Sequence, residues 1–292
     1  MSWLQVEAVA TPTNVSKLED EAFAAGAVSV ALVSESDEPV LEPAPGEMPL
    51  WHTIRLQALF PLDVDLKLLS TNMGTALDVR FVGEVDWQAH ARTFAVDAVF
   101  GSRIHLRAPL DDGETYDGPY LPLYLEPGLA FGSGSHPTTR MCLDWIAEHV
   151  QMGSKVLDFG CGSGVLAIAA GLTGAQVVAV DYDDQAVLAT RENAKRNGTE
   201  ENISVLSLTE WQAEPQAGFD VVVANILAEP LRTLAEDLTR ALKEGGKVVL
   251  AGLLEEQADH VRDAYLAGVT FEDDHIEEGW TRLVGEKLGA ST

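Results

Sequence analysis

The fold is decided by the stretch Asp158-Phe159-Gly160-Cys161-Gly162-Ser163-Gly164, which lies between an apolar run and a helical pattern. The run Val156–Phe159 predicts a short buried strand, and Val165–Gly171 predicts a helix. Glycines at three alternate positions permit a tight turn and let a ligand approach the backbone closely. The helix that follows offers free N–H groups in its first turn. The segment therefore predicts a strand–turn–helix unit that binds a nucleoside.

Three further apolar runs follow in the second half of the chain, and helical patterns separate them. Together with the first, the runs are Val156–Phe159, Val177–Val180, Val221–Ala224 and Val248–Ala251. Runs that are apolar throughout are typical of strands buried on both faces, in a parallel sheet covered by helices. The sequence thus predicts a doubly wound α/β domain over residues 128–292.

An acidic residue follows the second of these strands at an informative distance. Asp181 lies nineteen residues after Gly162 (181 − 162), a spacing that suits a carboxylate accepting hydrogen bonds from ribose hydroxyls. A nicotinamide dinucleotide site is the alternative, but its G-x-G-x-x-G pattern would need a glycine at position 165, which is Val165. A glycine-rich turn without a ligand also remains open. The spacing favours S-adenosylmethionine.

Asn225 ends the third strand, at the carboxyl edge where open α/β sheets bind ligands. Its side-chain carbonyl could accept hydrogen bonds from an amine, and its NH2 group could donate to a cofactor. The alternative interpretation is an asparagine that satisfies a turn at the end of a strand.

The first part of the chain alternates short strand and helix patterns in the order β-α-β-β-α-β over residues 1–86. This order predicts a ferredoxin-like α+β domain. It carries no chemical motif, which favours a role in recognition or scaffolding. Residues 87–127 are interpreted as a connector, with short strands around Ile104, Leu106 and Tyr120–Leu125.

Composition excludes several classes of protein. The 292 residues carry 19 basic and 46 acidic side chains, a net charge of −27, so direct nucleic-acid binding through a basic face is disfavoured. The only cysteines, Cys142 and Cys161, exclude a disulfide framework. No apolar run is long enough for a membrane helix, no secretory signal begins the chain, and no cluster has the spacing of metal ligands. The sequence predicts a cytoplasmic monomer with no metal and no membrane contact.

The residues described so far resemble the Rossmann-like S-adenosylmethionine-dependent methyltransferases. More specifically, the chain resembles the family of ribosomal protein L-eleven (L11) methyltransferases. The segments that carry this resemblance are Glu126–Thr139, Asp158–Gly164, Asp181, Ala224–Ala228, Lys243–Lys247 and Trp280–Gly285, with a looser match at Glu42–Glu47.

The resemblance implies a protein N-methyltransferase that uses S-adenosylmethionine and modifies lysine and α-amino groups of free ribosomal protein L11. The N-terminal domain would then recognise the ribosomal protein. The expected cofactor-binding residues are Thr139, Gly160, Gly162, Asp181, Asn225 and Phe131, the last as an apolar wall, and Asn225 is the expected catalytic residue. His136 is expected to make a structural hydrogen bond rather than to act as a general base.

The connector departs from the family pattern, because Trp87 is followed by Ala91 and Asp97 where a second tryptophan and a proline are expected. The departure bears on the geometry between domains and on substrate choice more than on cofactor binding. A diverged methyltransferase acting on another protein or a small amine is therefore an alternative. A non-catalytic cofactor-binding module is a further alternative, which the presence of both Asp181 and Asn225 disfavours.

Overall fold

The structure is a computed structural model that describes residues 3–34, 53–82, 96–110, 115–125, 134–272 and 274–289. The chain divides into two compact units, Met1–Trp87 and Gln88–Thr292. No helix of the described residues is both long and apolar enough to cross a membrane.

The first unit is a four-stranded antiparallel sheet with two helices. Its elements are β1 (Trp3–Ala10), α1 (Val15–Ala24), β2 (Ser29–Ser34), β3 (Ile54–Phe60), α2 (Leu66–Met73) and β4 (Asp78–Val82). The strand order β2-β3-β1-β4 confirms the predicted ferredoxin-like arrangement. Alternate residues of the strands, such as Val6, Leu56 and Phe60, are buried with Leu18 of α1 and Leu69 of α2. The helices therefore cover one face of the sheet.

A three-stranded sheet begins the described part of the second unit. It consists of β5 (Ala98–Phe100), β6 (Ile104–Arg107) and β7 (Leu121–Tyr124). Its inward residues Phe100, Ile104 and Leu123 belong to one face of the core of this unit. The described residues of the stretch interpreted as a connector are thus built into the second unit, because alternate side chains of its strands are apolar and find a core to cover.

The remainder of the second unit is the doubly wound sheet that the apolar runs predicted. It has β8 (Lys155–Phe159), β9 (Gln176–Asp181), β10 (Ile203–Ser207), β11 (Phe219–Asn225), β12 (Leu242–Leu254), β13 (Val269–Phe271), β14 (His275–Glu277) and β15 (Trp280–Lys287). The strand order is β10-β9-β8-β11-β12-β15-β13, with β14 paired to β15. Strands β8 to β12 are parallel and β15 is antiparallel to β12.

Helices lie on both faces of this sheet. They are α3 (Pro137–His149), α4 (Val165–Leu172), α5 (Asp184–Arg196), α6 (Leu208–Ala213), α7 (Ala228–Thr233), α8 (Ala235–Ala241) and α9 (Ala258–Tyr265), with a 3-10 turn at Glu255–Gln257. Two separate apolar clusters form on the two faces. The strand order reverses between β8 and β11, and the loops after these two strands meet at the carboxyl edge. In such sheets this reversal point is where ligands bind.

Candidate active site

The glycine loop connects β8 to α4 at the point where the strand order reverses. Gly160, Gly162 and Gly164 have φ angles of 80°, 56° and 80°, a region that L-residues with a side chain rarely adopt. A Cβ atom on Gly160 would lie 2.2 Å from Cγ2 of Ile226, and one on Gly164 would lie 2.8 Å from Cγ2 of Thr190. Glycine is therefore required at both positions by backbone conformation and by space.

The carboxylate of Asp181 fixes this loop from the neighbouring strand. It ends β9 and is only 7% exposed. One of its oxygens accepts the Gly162 N–H at 2.9 Å, and the other accepts the Asp183 N–H at 3.0 Å. Each carboxylate oxygen can accept a second hydrogen bond, so capacity remains for a ligand hydroxyl. Asp183 itself caps α5 by accepting the Gln185 N–H at 2.9 Å.

Asn225 lies at the end of β11, beside the glycine loop, since its neighbour Ile226 contacts Gly160. Its Nδ2 donates to Oγ1 of Thr139 at 3.3 Å. Its Oδ1 is buried and has no hydrogen-bond donor among the residues that the structure describes. A buried acceptor without a partner is costly. This oxygen is thus available to a donor that the protein itself does not supply.

Thr139 is held by the first turn of α3, which begins as the sequence predicted, with Pro137 in the first helical position. The His136 side chain caps the helix by accepting the Thr138 N–H. The Thr139 N–H donates to the His136 carbonyl at 3.0 Å, and the Thr139 side chain is fully buried. Burial and the nearby Arg140 cation lower the pKa of His136, which favours the neutral, accepting form. These contacts agree with the expected structural role of His136.

The structure thus brings Thr139, Gly160, Gly162, Asp181 and Asn225 together along one edge of the sheet. Phe131, the expected apolar wall, lies outside the described residues. Among the described residues, no group of three or more His, Cys, Asp or Glu side chains is arranged to hold a metal ion.

Two polar residues of α5 support the glycine loop and were missed by the sequence analysis. Thr190 donates to the Gly162 carbonyl at 3.0 Å, and Asn193 donates to the Ser163 carbonyl at 2.9 Å. Both side chains are buried. The signal available in the sequence was a pair of polar residues, three apart, on the apolar side of an amphipathic helix.

Asp158, the first residue of the glycine segment, received no role in the sequence analysis. Its side chain is buried beneath the loop, and one oxygen accepts the Ala167 N–H at 2.9 Å. The other oxygen has no partner within the described residues. Burial raises the pKa of this carboxyl to about 7, against the opposing effect of the Ala167 hydrogen bond.

Comparison with known proteins gives a consistent result. The family model described as "Ribosomal protein L11 methyltransferase (PrmA)" matches residues 2–288. The chain belongs to the ribosomal protein L11 methyltransferase family. It is 41% identical to the ribosomal protein L11 methyltransferases of Ectopseudomonas mendocina and Pseudomonas paraeruginosa, over 98% of this chain and 100% and 99% of theirs.

A solved structure supports the same assignment. The crystal structure of ribosomal protein L11 methylase from Lactobacillus delbrueckii subsp. bulgaricus is 31% identical, with a TM-score of 0.57. The match covers 64% of this chain and 96% of that one. The family resemblance and the Rossmann-like fold predicted from the sequence are confirmed, and the protein is a methyltransferase that uses S-adenosylmethionine.

Proposed function

We propose that this protein transfers methyl groups from S-adenosylmethionine to lysine and α-amino groups of free ribosomal protein L11, acting as a cytoplasmic monomer. The observation that carries the proposal is the buried Oδ1 of Asn225, an acceptor without a donor among the described residues, next to the glycine loop. This oxygen can accept a hydrogen bond from the N–H of an amine. The family to which the chain belongs supports both the cofactor and the substrate.

The residues of this site fit the cofactor. Gly160 and Gly162 allow close approach to the backbone, and Asp181 keeps capacity to accept hydrogen bonds from the ribose hydroxyls. We assign Phe131 as an apolar wall of the same site. Thr139 fixes the amide of Asn225, because it receives the Nδ2 hydrogen bond and leaves Oδ1 as the remaining acceptor. When bound, S-adenosylmethionine supplies a methyl group on a positively charged sulfur.

The protein must present a neutral amine to that methyl group. For lysine, with a reference pKa of about 10.4, loss of the proton at pH 7 costs about 4–5 kcal/mol, whereas an α-amine near 7.7 costs about 1 kcal/mol. Burial of the ammonium lowers this cost by disfavouring the charged form. Asn225 Oδ1 then accepts a remaining N–H and orients the nitrogen lone pair, so Asn225 aligns the nucleophile without acting as a strong base.

We assign recognition of the ribosomal protein to the first unit, which has a complete ferredoxin-like fold and, in the sequence, no chemical motif.

The test compares Asn225→Ala with Asn202→Ala, a matched change next to β10 at the opposite edge of the sheet. Labelled S-adenosylmethionine and purified L11 report turnover, and calorimetry reports cofactor affinity. We expect Asn225→Ala to lower turnover at least 10-fold while the cofactor affinity changes less than about 5-fold, the scale of one neutral hydrogen bond. Asn202→Ala should change neither.

Three outcomes would count against the proposal. Equal losses of turnover and affinity in Asn225→Ala would make Asn225 a cofactor ligand only. Label on a protein other than L11, or on a small amine, would indicate a diverged methyltransferase. Cofactor binding without any transfer would indicate a non-catalytic module.

A further inference from the structure

Arg140 connects the first turn of α3 to a distant part of the chain. Its Nε donates to Glu277 at 2.9 Å, one terminal nitrogen donates to both Glu277 and Glu278, the latter at 2.7 Å, and the other donates to the Ser135 carbonyl at 2.6 Å. Each of the three guanidinium nitrogens thus has an acceptor. This set of contacts, Arg140 with Glu277, Glu278 and the Ser135 carbonyl, is called the Arg140 clamp below.

The two carboxylate acceptors, Glu277 and Glu278, lie at the tip of the β14–β15 hairpin. Glu278 and Gly279 form the turn, with φ angles of 53° and 79°. Two consecutive positive φ angles are typical of the tight hairpin turns that match strand twist. The ring of Trp280, the first residue of β15, also packs edge-to-face with the ring of His136, with ring centroids 4.6 Å apart. The hairpin tip therefore contacts both the cap and the first turn of α3.

The clamp and the candidate active site share one sheet. Asn225 pairs with Ala251 of β12, and Trp280 of β15 pairs with Leu254 of the same strand. Strand β11, on one side of β12, carries the Asn225 amide, and strand β15, on the other side of β12, begins at the hairpin tip. Thr139, which precedes Arg140, accepts the hydrogen bond from Asn225, and Arg140 donates to Glu277 at the hairpin tip. The start of α3 is thus attached to the sheet at two points.

An isolated surface ion pair contributes little to stability. The Arg140 clamp differs from such a pair because the Arg140 side chain is 28% exposed and its guanidinium binds two carboxylates and a backbone carbonyl. A planar guanidinium with an acceptor at each of its three nitrogens fixes direction as well as distance.

We infer that Arg140 is a positioning residue: through the Arg140 clamp it keeps Thr139 in hydrogen-bond register with Asn225, so that cofactor affinity depends on Glu277 and Glu278. The inference rests on the proposed function only for the location of the cofactor site. Its physical content is that loss of the clamp loosens the first turn of α3, which displaces Thr139, one of the proposed cofactor-binding residues, and frees the amide of Asn225 from its partner.

The test uses Arg140→Met, which keeps the aliphatic stem, and Arg140→Lys, which restores a charge without the planar group. Arg240→Met is the matched control, because Arg240 pairs with Glu236 and Asp237 on the surface of α8. We expect Arg140→Met to raise the dissociation constant and the KM for S-adenosylmethionine by 5- to 10-fold and to lower kcat by a smaller factor, because the Asn225 amide is held less firmly by Thr139, while the unfolding midpoint stays unchanged. Amide exchange of Thr139 should accelerate at least 5-fold.

Rescue and coupling complete the test. Arg140→Lys should recover part of the affinity, and adding Glu277→Gln to Arg140→Met should cause no further loss. The inference would be refuted if Arg140→Met kept the wild-type affinity for S-adenosylmethionine and the wild-type amide exchange of Thr139. It would also be refuted if Arg240→Met had equal effects. A joint fall of kcat, cofactor affinity and unfolding midpoint in Arg140→Met would refute it as well, because it would indicate general destabilisation. If the wild-type protein bound no cofactor, the proposed function would fail, and Thr139 exchange would still decide whether the clamp orders α3.

Discussion

Replacing Asp181 by asparagine separates the two tasks that the structure gives to this carboxylate. Asp181 accepts the N–H groups of Gly162 and Asp183, and the proposed function adds the ribose hydroxyls. Asparagine keeps one acceptor oxygen and replaces the other by an NH2 group, which faces one of the two backbone donors. A backbone N–H left without an acceptor costs about 1–3 kcal/mol, so the free energy of unfolding should fall by that amount.

The effect on the cofactor follows from the lost charge. A hydrogen bond to a charged acceptor contributes about 1.5–3 kcal/mol. Its loss should therefore raise the dissociation constant of the cofactor roughly 10- to 150-fold. Calorimetric titration with S-adenosylmethionine measures this affinity, and urea denaturation measures stability. The control is Asp183→Asn, because asparagine caps a helix as well as aspartate does and should change either quantity by less than about 0.5 kcal/mol. A cofactor affinity within 2-fold of wild type in Asp181→Asn would refute this reasoning.

Two further changes test the glycine loop and the carboxyl beneath it. Gly160→Ala should lower the free energy of unfolding by about 2–5 kcal/mol, because the left-handed backbone is strained and the new Cβ clashes with Ile226. The control is Gly153→Ala, where φ is 82° and no atom lies within 4 Å of the added Cβ. It should show the strain alone, about 1–2 kcal/mol, in the same urea assay. Asp158 has its folded-state pKa raised from 3.8 to about 7, so its contribution to stability is complete below pH 4 and is lost as the pH rises towards 7 and above. Relative to Asp158→Asn, the free energy of unfolding of the wild-type protein should therefore fall by up to about 4 kcal/mol between pH 4 and 8. If the free energies of unfolding of the two proteins ran parallel across this pH range, the reasoning would be contradicted.

The features that the sequence predicted correctly are those encoded locally. The glycine loop, the strands on either side of it and the helix that starts at Pro137 depend on neighbouring residues, and the spacing of Asp181 reflects one strand–helix–strand unit. The ferredoxin-like order of the first unit also follows from short periodic segments. Such features are visible because backbone conformation and hydrophobic period are properties of a few consecutive residues.

Contacts between distant segments were not visible in the same way. Thr190 and Asn193 hold the glycine loop from a helix about thirty residues away, and Arg140 meets Glu277 across 137 positions. The stretch containing Ile104 and Leu123 shows only short strand patterns in the sequence and is interpreted as a connector, whereas the structure buries both residues in the core of the second unit. In each case the partner is set by tertiary packing, which a single sequence does not reveal.

The order of the last strands has a consequence for the newly made chain. Strand β15 inserts between β12 and β13, although β13 precedes it along the sequence. While residues up to 272 have emerged from the ribosome and Trp280–Lys287 have not, the apolar second half of β12, residues 248–254, has one edge without its neighbouring strand. An uncovered edge of that kind invites pairing with other chains. The nascent enzyme therefore passes through an aggregation-prone interval that ends only when β15 pairs with β12.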